Sequence, residues 1–328
     1  MFQSKNNVWA LAEVKNLLRK ASNQPVQLTS GPMGFSMPLP SKDGKKLYAV
    51  GGLARGELTR YESKTGQFVP FLSGISADSV SFSKDGNWVA YVAYPEGTLW
   101  RSKADGSERL QLSFPPLYAR LPRWSPDGDR IVFYAFAPTQ PVRAYLVPRD
   151  GESPPELLPE ANLPKWDPYW SPDGSKIVFG GDFDDPGSVI RILDLKSGQI
   201  SEVPGSKGFT GPRWSPDGQH IVALLAKLQG EVLFDLTSQK WTELVKKTAA
   251  FTNWSKDGQY VYFLHWPDEP SVMRLRIRDR KLERVVDLKD FRQTGFYGIW
   301  LGLAPDDSPL LLRDTGTQEI YALDWEAP

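Results

Sequence analysis

The chain has 328 residues, of which 40% are hydrophobic and 12% aromatic, so it has the material for a large core and is too apolar for a disordered protein. Lysine plus arginine and aspartate plus glutamate each total 39, which argues against a broad electrostatic grip on nucleic acid or anionic lipid. The absence of cysteine excludes disulfides, zinc–thiolate sites and cysteine nucleophiles.

A short motif, Trp-Ser-Pro-Asp-Gly, recurs along the chain. It is complete at residues 124–128, 170–174 and 214–218. Near-copies lie at residues 41–44, 82–86 and 254–258, and a degenerate copy lies at residues 303–307. The motif aspartates recur every 40 to 49 residues, a period that is typical of the four short strands of a propeller blade.

Each repeat predicts the same four strands in chain order. A first strand ends at the motif, where Asp-Gly closes a turn with glycine in the left-handed position. An apolar residue shortly after the motif opens a second strand, as in Lys176-Ile177-Val178-Phe179. Third strands are predicted at residues 57–61, 98–101, 144–147, 189–195, 232–236, 272–277 and 320–325. Polar turns such as Ser197-Gly198 then lead to a fourth strand.

The two ends of the chain are expected to complete a ring. We expect one all-β propeller domain over residues 1–328, with seven four-stranded antiparallel blades and with six or eight as alternatives. Strands at residues 7–12 and 26–29, within residues 1–30, would close the last blade, because an open ring exposes sheet edges. A rival interpretation makes residues 9–21 an amphipathic helix. The start in mid-blade also indicates a part of a longer protein.

The repeated motif followed by a short aliphatic strand resembles the TolB-like β-propeller repeat, over roughly residues 35–313. Residues 25–30 and 321–325 also resemble the propeller portion of bacterial regulators that carry an upstream winged-helix DNA-binding domain. The sequence contains no winged-helix segment, so DNA binding is not implied. The resemblance therefore implies a fold and leaves the function open.

The loops opposite the motif turns are the expected place for a binding site. A pattern that repeats in every blade serves the ring, whereas the links between blades and between strands two and three vary on a rigid scaffold. Aromatic and charged side chains in these links suit a protein, peptide or small-ligand partner, and packing between blades is their alternative role. The predicted binding residues are Phe35, Asp78, Arg120, Trp166, Asp167, Phe209, Arg213, Phe251 and Tyr297.

An acidic loop is the candidate metal site. Asp182, Asp184 and Asp185 cluster carboxylates of the kind that calcium prefers. The loop lacks the spacing of an EF-hand, and a solvated turn is the favoured interpretation. Calcium is the single cofactor considered, and no other is expected.

Sequence signatures of catalysis are absent. The chain has no Gly-x-Ser-x-Gly nucleophile elbow and no phosphate-binding glycine-rich loop. We therefore predict a non-catalytic scaffold for a protein, peptide or small ligand, serving as the sensor part of a longer regulator or as a free-standing binding protein. The alternative is an enzyme, a hydrolase or lyase, with a polar and metal-binding site in the central channel. A monomer is expected, without broad nucleic-acid binding.

The compartment stays open at this stage. The sequence contains no signal peptide and no apolar run long enough to cross a bilayer, so membrane insertion is not expected. A periplasmic location is expected if the chain belongs to a membrane-anchored regulator, and a cytoplasmic one otherwise.

Overall fold

The computed structural model describes residues 2–4, 7–10, 24–31, 33–159 and 164–324. The chain forms two compact units, one of residues 1–55 with 314–328 and the other of residues 56–313. Most of the helix that was the rival prediction for residues 9–21 lies outside the described residues, and residues 9 and 10 belong to a strand. Within the described ranges, no helix is long and apolar enough to cross a bilayer.

Thirty strands, numbered in chain order, and two 3-10 helices (Leu72–Gly74 and Ala226–Leu228) make up the regular structure of the described residues. The smaller unit contains β1 (Phe2–Ser4), β2 (Asn7–Ala10), β3 (Val26–Gln27), β4 (Gly34–Pro40), β5 (Lys46–Leu53) and β30 (Thr317–Asp324). The remaining strands are β6 (Gly56–Glu62), β7 (Gln67–Pro70), β8 (Ala77–Phe82), β9 (Trp88–Ala93), β10 (Leu99–Lys103), β11 (Leu110–Gln111), β12 (Tyr118–Trp124), β13 (Arg130–Phe136), β14 (Arg143–Pro148), β15 (Glu156–Leu157), β16 (Trp166–Trp170), β17 (Lys176–Gly180), β18 (Arg191–Asp194), β19 (Ile200–Glu202), β20 (Phe209–Trp214), β21 (His220–Leu225), β22 (Glu231–Asp235), β23 (Lys240–Val245), β24 (Ala250–Trp254), β25 (Tyr260–His265), β26 (Ser271–Arg276), β27 (Leu282–Asp287), β28 (Gly302–Leu303) and β29 (Pro309–Asp314).

Six four-stranded sheets form the unit of residues 56–313. Five of them take four consecutive strands each, from β8 to β27, paired antiparallel. The sixth has the order β28-β29-β6-β7, so strands from the start and the end of this unit share one sheet. This sheet is bonded to both of its neighbours. Lys256 N donates to Asp307 Oδ1 at 2.9 Å, and the hydroxyl oxygens of Tyr94 and Thr294 lie 2.8 Å apart. The ring is therefore closed.

This architecture confirms an all-β propeller with four-stranded blades. The described residues contain six four-stranded sheets, which is the smaller of the two alternative counts. The first motif copy, at residues 41–44, lies in the separate three-stranded sheet β30-β5-β4. Strands from the N-terminal side join the last blade, but they are residues 56–70 and not the strands predicted within residues 1–30. The strands within residues 1–30 pair with one another. A single domain over residues 1–328 stays a prediction.

The second strand of each blade carries much of the core. In β17, the side chains of Ile177, Val178 and Phe179 are completely buried, and so are those of Phe133 and Phe263 in the equivalent strands. A strand that is covered on both faces has an unbroken apolar run of this kind. The predicted second strands are therefore present, and those with unbroken buried runs are covered on both faces of their sheet.

The motif builds the turn between strands one and two. Ser171 Oγ donates to Asp173 Oδ1 at 2.6 Å, and the same carboxylate oxygen accepts from Ser175 N at 3.0 Å. Ser171 Oγ in turn accepts from Lys176 N at 2.9 Å, and Gly174 has a φ of 73°. These bonds lower the pKa of Asp173 to about 2, chiefly through the Ser171 hydroxyl. The polar side chains of the motif thus bond within the turn and stabilise it.

The motif tryptophan also joins neighbouring blades. Trp170 Nε1 donates to the carbonyl oxygen of Arg123 in the preceding sheet at 3.1 Å. Trp124 and Trp254 make the same bond to the sheet before theirs, also at 3.1 Å. Trp214 differs, because its Nε1 donates within its own turn. A buried indole N–H needs an acceptor, and here the acceptor ties one blade to the next.

A bulge with a left-handed residue recurs in the first strands β4, β8, β12, β16, β20 and β24. It lies six positions before the motif aspartate, and its φ is between 41° and 56°. The residues at this position are Met37, Ser79, Leu121, Asp167, Gly211 and Phe251. The pairing register with strand two shifts at the same place. A Cβ makes this conformation cost about 1–2 kcal/mol, and bulges redirect the side chains around them.

Candidate functional site

A cavity of about 320 Å³ lies in the unit of residues 56–313. Its wall combines the bulged parts of β12, β16, β20 and β24 with residues from the second strands β13 and β21. The loop after β17, the helix after β21 and the segment before β28 complete the wall. The cavity thus lies among the inter-blade links and the loops between strands two and three, where the sequence placed the binding face.

Aromatic rings dominate the cavity wall. Trp166 lies 5.7 Å from Tyr134 and 6.0 Å from Phe183, measured between ring centroids. Tyr297 lies 6.1 Å from Phe183 and 6.4 Å from Phe251. Most of the accessible wall is carbon. Edge-to-face and tilted contacts of this kind fix the rings relative to one another, so the cavity is largely pre-formed.

Two tyrosines close one side of the cavity through their hydroxyl groups. The Oη atoms of Tyr134 and Tyr297 are 2.9 Å apart. Burial raises the pKa of Tyr297 to about 12, and burial also raises the pKa of Tyr134 well above its ordinary value. Both phenols therefore stay neutral at physiological pH, and one hydroxyl donates its hydrogen to the other.

The charged groups of the wall are paired inside the protein. Arg213 Nη2 lies 2.7 Å from Asp167 Oδ2, and the Arg213 side chain is only 2% exposed. Arg213 also donates to the carbonyl oxygens of Thr252 and Pro212, at 3.1 and 2.9 Å. The Oδ1 atom of Asp167 has no hydrogen-bond partner among the described residues. The guanidinium is therefore held on three sides and has little capacity left for a ligand.

A second arginine adds positive charge behind the wall. Arg123 and Arg213, which belong to different sheets, lie 5.6 and 5.4 Å from the ring of Tyr169. Burial, followed by the nearby charge of Arg213, lowers the pKa of Arg123 to about 10. Asp167 offsets part of this charge, and it acts on both arginines.

A buried glutamate extends this network away from the cavity. Thr252 Oγ1 donates to Glu231 Oε1 at 2.5 Å, and the side chain of Glu231 is completely buried. Burial raises the pKa of Glu231 to about 8, so the carboxyl group is protonated at neutral pH. Its Oε2 atom has no hydrogen-bond partner in the described part of the chain. Arg213 and Glu231 thus meet at Thr252, one through its carbonyl and the other through its hydroxyl.

The segment before β28 is fixed next to the cavity by two of the predicted residues. Phe296 N donates to Asp78 Oδ2 at 3.0 Å, and the Arg120 guanidinium lies 3.2 Å from the centre of the Phe296 ring. Arg120 is 3% exposed, and burial lowers its pKa. Burial raises the pKa of Asp78. Asp78 and Arg120 therefore position the segment that carries Tyr297.

The nine predicted binding residues divide into three groups. Trp166, Asp167, Arg213, Phe251 and Tyr297 line the cavity, and Asp78 and Arg120 support it from behind. The other two lie elsewhere, as their ring contacts show. Phe209 packs against Trp241 at 4.7 Å, and Phe35, in the smaller unit, packs against Tyr321 at 5.6 Å.

The acidic loop is built as a turn. Asp182 Oδ1 accepts from Asp184 N at 3.0 Å, and Asp185 Oδ1 accepts from Gly187 N at 2.7 Å. Within the ranges that the structure describes, no group of three or more histidine, aspartate or glutamate side chains is arranged to hold a metal ion. The loop instead contributes the ring of Phe183 to the cavity. Calcium binding and a monomeric state stay predictions.

Sequence reasoning missed several residues of the site. Tyr134 and Leu224 line the cavity from second strands, where their apolar neighbours predicted only core. Glu231 follows Gly230 at the start of an ordinary third strand. The fixed distance of six residues before each motif aspartate is a signal that leads to Leu121, Asp167, Gly211 and Phe251.

Sequence comparisons with known proteins give one partial match. No family model matches the sequence. Over 171 residues, 49% of the chain, it is 27% identical to the uncharacterised peptidase YuxL of Bacillus subtilis strain 168. The chain spans about a quarter of the length of that relative, 24%.

Comparisons with solved structures match the fold over more of the chain. A protein assigned as TolB from Agrobacterium tumefaciens superposes with a TM-score of 0.64 at 19% identity, covering 80% of this chain and 98% of that one. A chain of the nidogen/laminin complex superposes with a TM-score of 0.58 at 12% identity, covering 74% and 94%. The TolB-like propeller fold is thus confirmed, whereas a likeness to winged-helix regulators is not shown.

Proposed function

We propose that this chain is a non-catalytic binding module that takes an apolar side chain of a peptide or protein partner into the cavity. One observation carries this proposal: most of the accessible wall is carbon, and the side chains of Thr210, Arg213 and the two tyrosines are hydrogen-bonded within the protein. Burying an apolar group there gains hydrophobic free energy, and it leaves few polar atoms without partners.

The size of the cavity favours a single anchoring group. A volume of about 320 Å³ is near the lower end of the range for ligand pockets. Space of that size suits one large side chain, aromatic or aliphatic, better than a stretch of polymer. Anchors of this type, buried in a central pocket, supply much of the affinity of protein interfaces.

The lining groups do not favour the enzyme alternative. Thr210 Oγ1, a potential nucleophile, donates to the carbonyl oxygen of Gly181 at 2.8 Å. Asp167, a potential base, is paired with Arg213, and the tyrosines are neutral. A hydrolase or lyase needs a nucleophile or base that is free to react, and a metal enzyme needs converging ligands. The likeness to a chain of the nidogen/laminin complex gives modest support to a protein partner, through the fold alone.

Neutral amino-acid derivatives test the proposal. N-acetyl-tryptophanamide, N-acetyl-leucinamide and N-acetyl-alaninamide are titrated against the intact chain by ligand-observed NMR. We expect the tryptophan and leucine derivatives to bind and the alanine derivative to bind much more weakly. Phe183→Ala should weaken binding by about fivefold or more, because an aromatic contact contributes about 1 kcal/mol.

Phe114→Ala is the matched control, since Phe114 is 61% exposed and lies outside the cavity wall. It should leave binding unchanged. Equal binding of the three derivatives would exclude an apolar anchor site. If calcium or manganese raised the melting temperature by several degrees, and Asp167→Asn abolished that rise, the enzyme alternative would be favoured instead.

A further inference from the structure

The sheet β30-β5-β4 has the features of a blade, with one strand fewer. Its β4–β5 turn holds the first motif copy, in which Ser41 Oγ donates to Asp43 Oδ1 at 2.5 Å. Strand β4 has the left-handed bulge residue, Met37, with a φ of 51°. The strands β4, β5 and β30 therefore correspond to strands one, two and three of the other blades. The position of strand four has no occupant among the described residues.

The vacant position leaves a long strand edge. All eight residues of β30 pair antiparallel with β5 on one side. On the other side, no strand from the described ranges pairs with it. An unpaired edge presents a row of backbone donors and acceptors that a further strand can satisfy. Fourth strands elsewhere in this chain have two to six residues, so β30 is long enough to hold one.

We propose that the edge of β30 binds an extended segment of a partner polypeptide, which adds as an antiparallel fourth strand. In the five sheets of consecutive strands, the third strand pairs with an antiparallel fourth strand. The geometry of this blade therefore defines the occupant as a β-strand. Strand addition of this kind takes affinity from backbone hydrogen bonds and specificity from alternate side chains.

The side chains of β30 define the chemistry of the partner. Its charged residues, Glu319 and Asp324, are both acidic, and Ile320 is 79% exposed. Residues directly opposite each other in a sheet lie on the same face and interact. The matching segment therefore has an aliphatic residue opposite Ile320 and a lysine or arginine opposite Glu319. This surface is separate from the cavity, and it belongs to the smaller unit.

A peptide from the chain itself serves as the probe. Residues 280–289 contain the fourth strand β27 and carry four basic and two acidic residues. Binding of this peptide to the intact chain is measured by fluorescence anisotropy, and the amide exchange of β30 is followed at the same time. We expect exchange to slow at alternate residues of Thr317–Asp324, because one side of the strand already faces β5. The control peptide has Val285→Pro and Val286→Pro, and it should not bind.

Two variants of the chain identify the edge. Ile320→Lys places a positive charge opposite a basic peptide, and it should weaken binding by about fivefold or more. Met37→Lys is the matched control, since Met37 is 78% exposed but lies on β4, at the other side of the sheet. It should bind as the wild type does. Both variants should bind N-acetyl-tryptophanamide normally, so this test is independent of the cavity.

Three outcomes would overturn the proposal. If the amides of β30 that face away from β5 were already protected without the peptide, another part of the chain would cover the edge. Equal binding of the proline peptide would show that no strand forms. Equal losses in Ile320→Lys and Met37→Lys would place the peptide elsewhere.

Discussion

Asp167 and Arg213 join two neighbouring sheets through a buried ion pair, with 2.7 Å between Oδ2 and Nη2. Asp167 itself occupies the left-handed bulge position, with a φ of 52°. The carboxylate acts on two arginines, because its negative charge also raises the pKa of Arg123 against the effect of burial. Removing one partner of such a pair leaves the other charge buried and uncompensated, which costs more than the pair itself contributes.

A double-mutant cycle measures this coupling. Asp167→Asn keeps a residue that tolerates the left-handed conformation, and it should lower the free energy of unfolding by about 3 kcal/mol. Arg213→Gln should also destabilise, and the double variant should recover about 1–3 kcal/mol relative to the sum of the two. The measurement is urea unfolding followed by tryptophan fluorescence. Strict additivity would show that the pair is not coupled.

Glu231 should make stability depend on pH. Burial raises its pKa from 4.5 to about 8. The unfolded chain releases this proton near pH 4.5, but the folded chain keeps it until about pH 8. The stabilisation that the folded state gains from holding this proton is therefore complete below pH 4.5, and it is lost as the pH rises towards 8. Glu231→Gln, which resembles the protonated acid, should match the wild type near pH 4.5 and exceed it at pH 8 by about 2 kcal/mol or more. Parallel stability curves for the two proteins would contradict this assignment.

Gly211 is the glycine of the bulge series, and it lines the cavity. A Cβ at this position would lie 3.1 Å from Leu224 Cδ1 at a φ of +56°. Gly211→Ala should therefore destabilise by about 1–2 kcal/mol or more, and it should weaken binding of N-acetyl-tryptophanamide. Gly66→Ala is the control, because its φ of +70° gives the strain without a neighbour within 4 Å. It should reduce the melting temperature without affecting binding.

Asp173 should affect stability without affecting binding. Asp173→Ala removes the acceptor for Ser171 and Ser175, and the loss should be about 1–2 kcal/mol at pH 7. The pKa of this carboxyl is lowered to about 2, so its contribution is present above pH 4 and is lost as the pH falls towards 2. The gap between wild type and variant should close over that range in thermal melts. Asp184→Ala, which changes an exposed carboxylate, is the control and should melt as the wild type does.

The sequence predicted those parts of the structure that repeat. The motif turns follow from local hydrogen bonding of Ser, Asp and Gly, which needs no knowledge of the rest of the chain. The buried second strands follow from their apolar runs. The predicted binding face was inferred from both, and five of the nine residues predicted for it line one cavity.

The remaining residues depended on features that a single sequence does not display. Phe209 opens β20, and its ring packs against Trp241 and is not part of the cavity wall. Phe35 lies eight residues before its motif aspartate, as Phe209 does, and its blade belongs to the other compact unit. In the sequence, Glu231 simply precedes a predicted strand. Its burial could not be predicted there, because its carboxylate is covered by β24 of the next sheet.

The sixth sheet also sets the order in which the ring can be completed. Glu57 and Arg313 form an ion pair at 3.0 Å, although they are 256 residues apart in the chain. During synthesis, β6 and β7 leave the ribosome before the five sheets of consecutive strands, and β28 and β29 leave after them. The early hairpin therefore waits for its sheet until almost the whole chain has been made. Contacts of such long range slow folding, because the entropy of loop closure is lost before the contacts form. Ring closure is thus the late step, and the early hairpin stays without the other two strands of its sheet in the meantime.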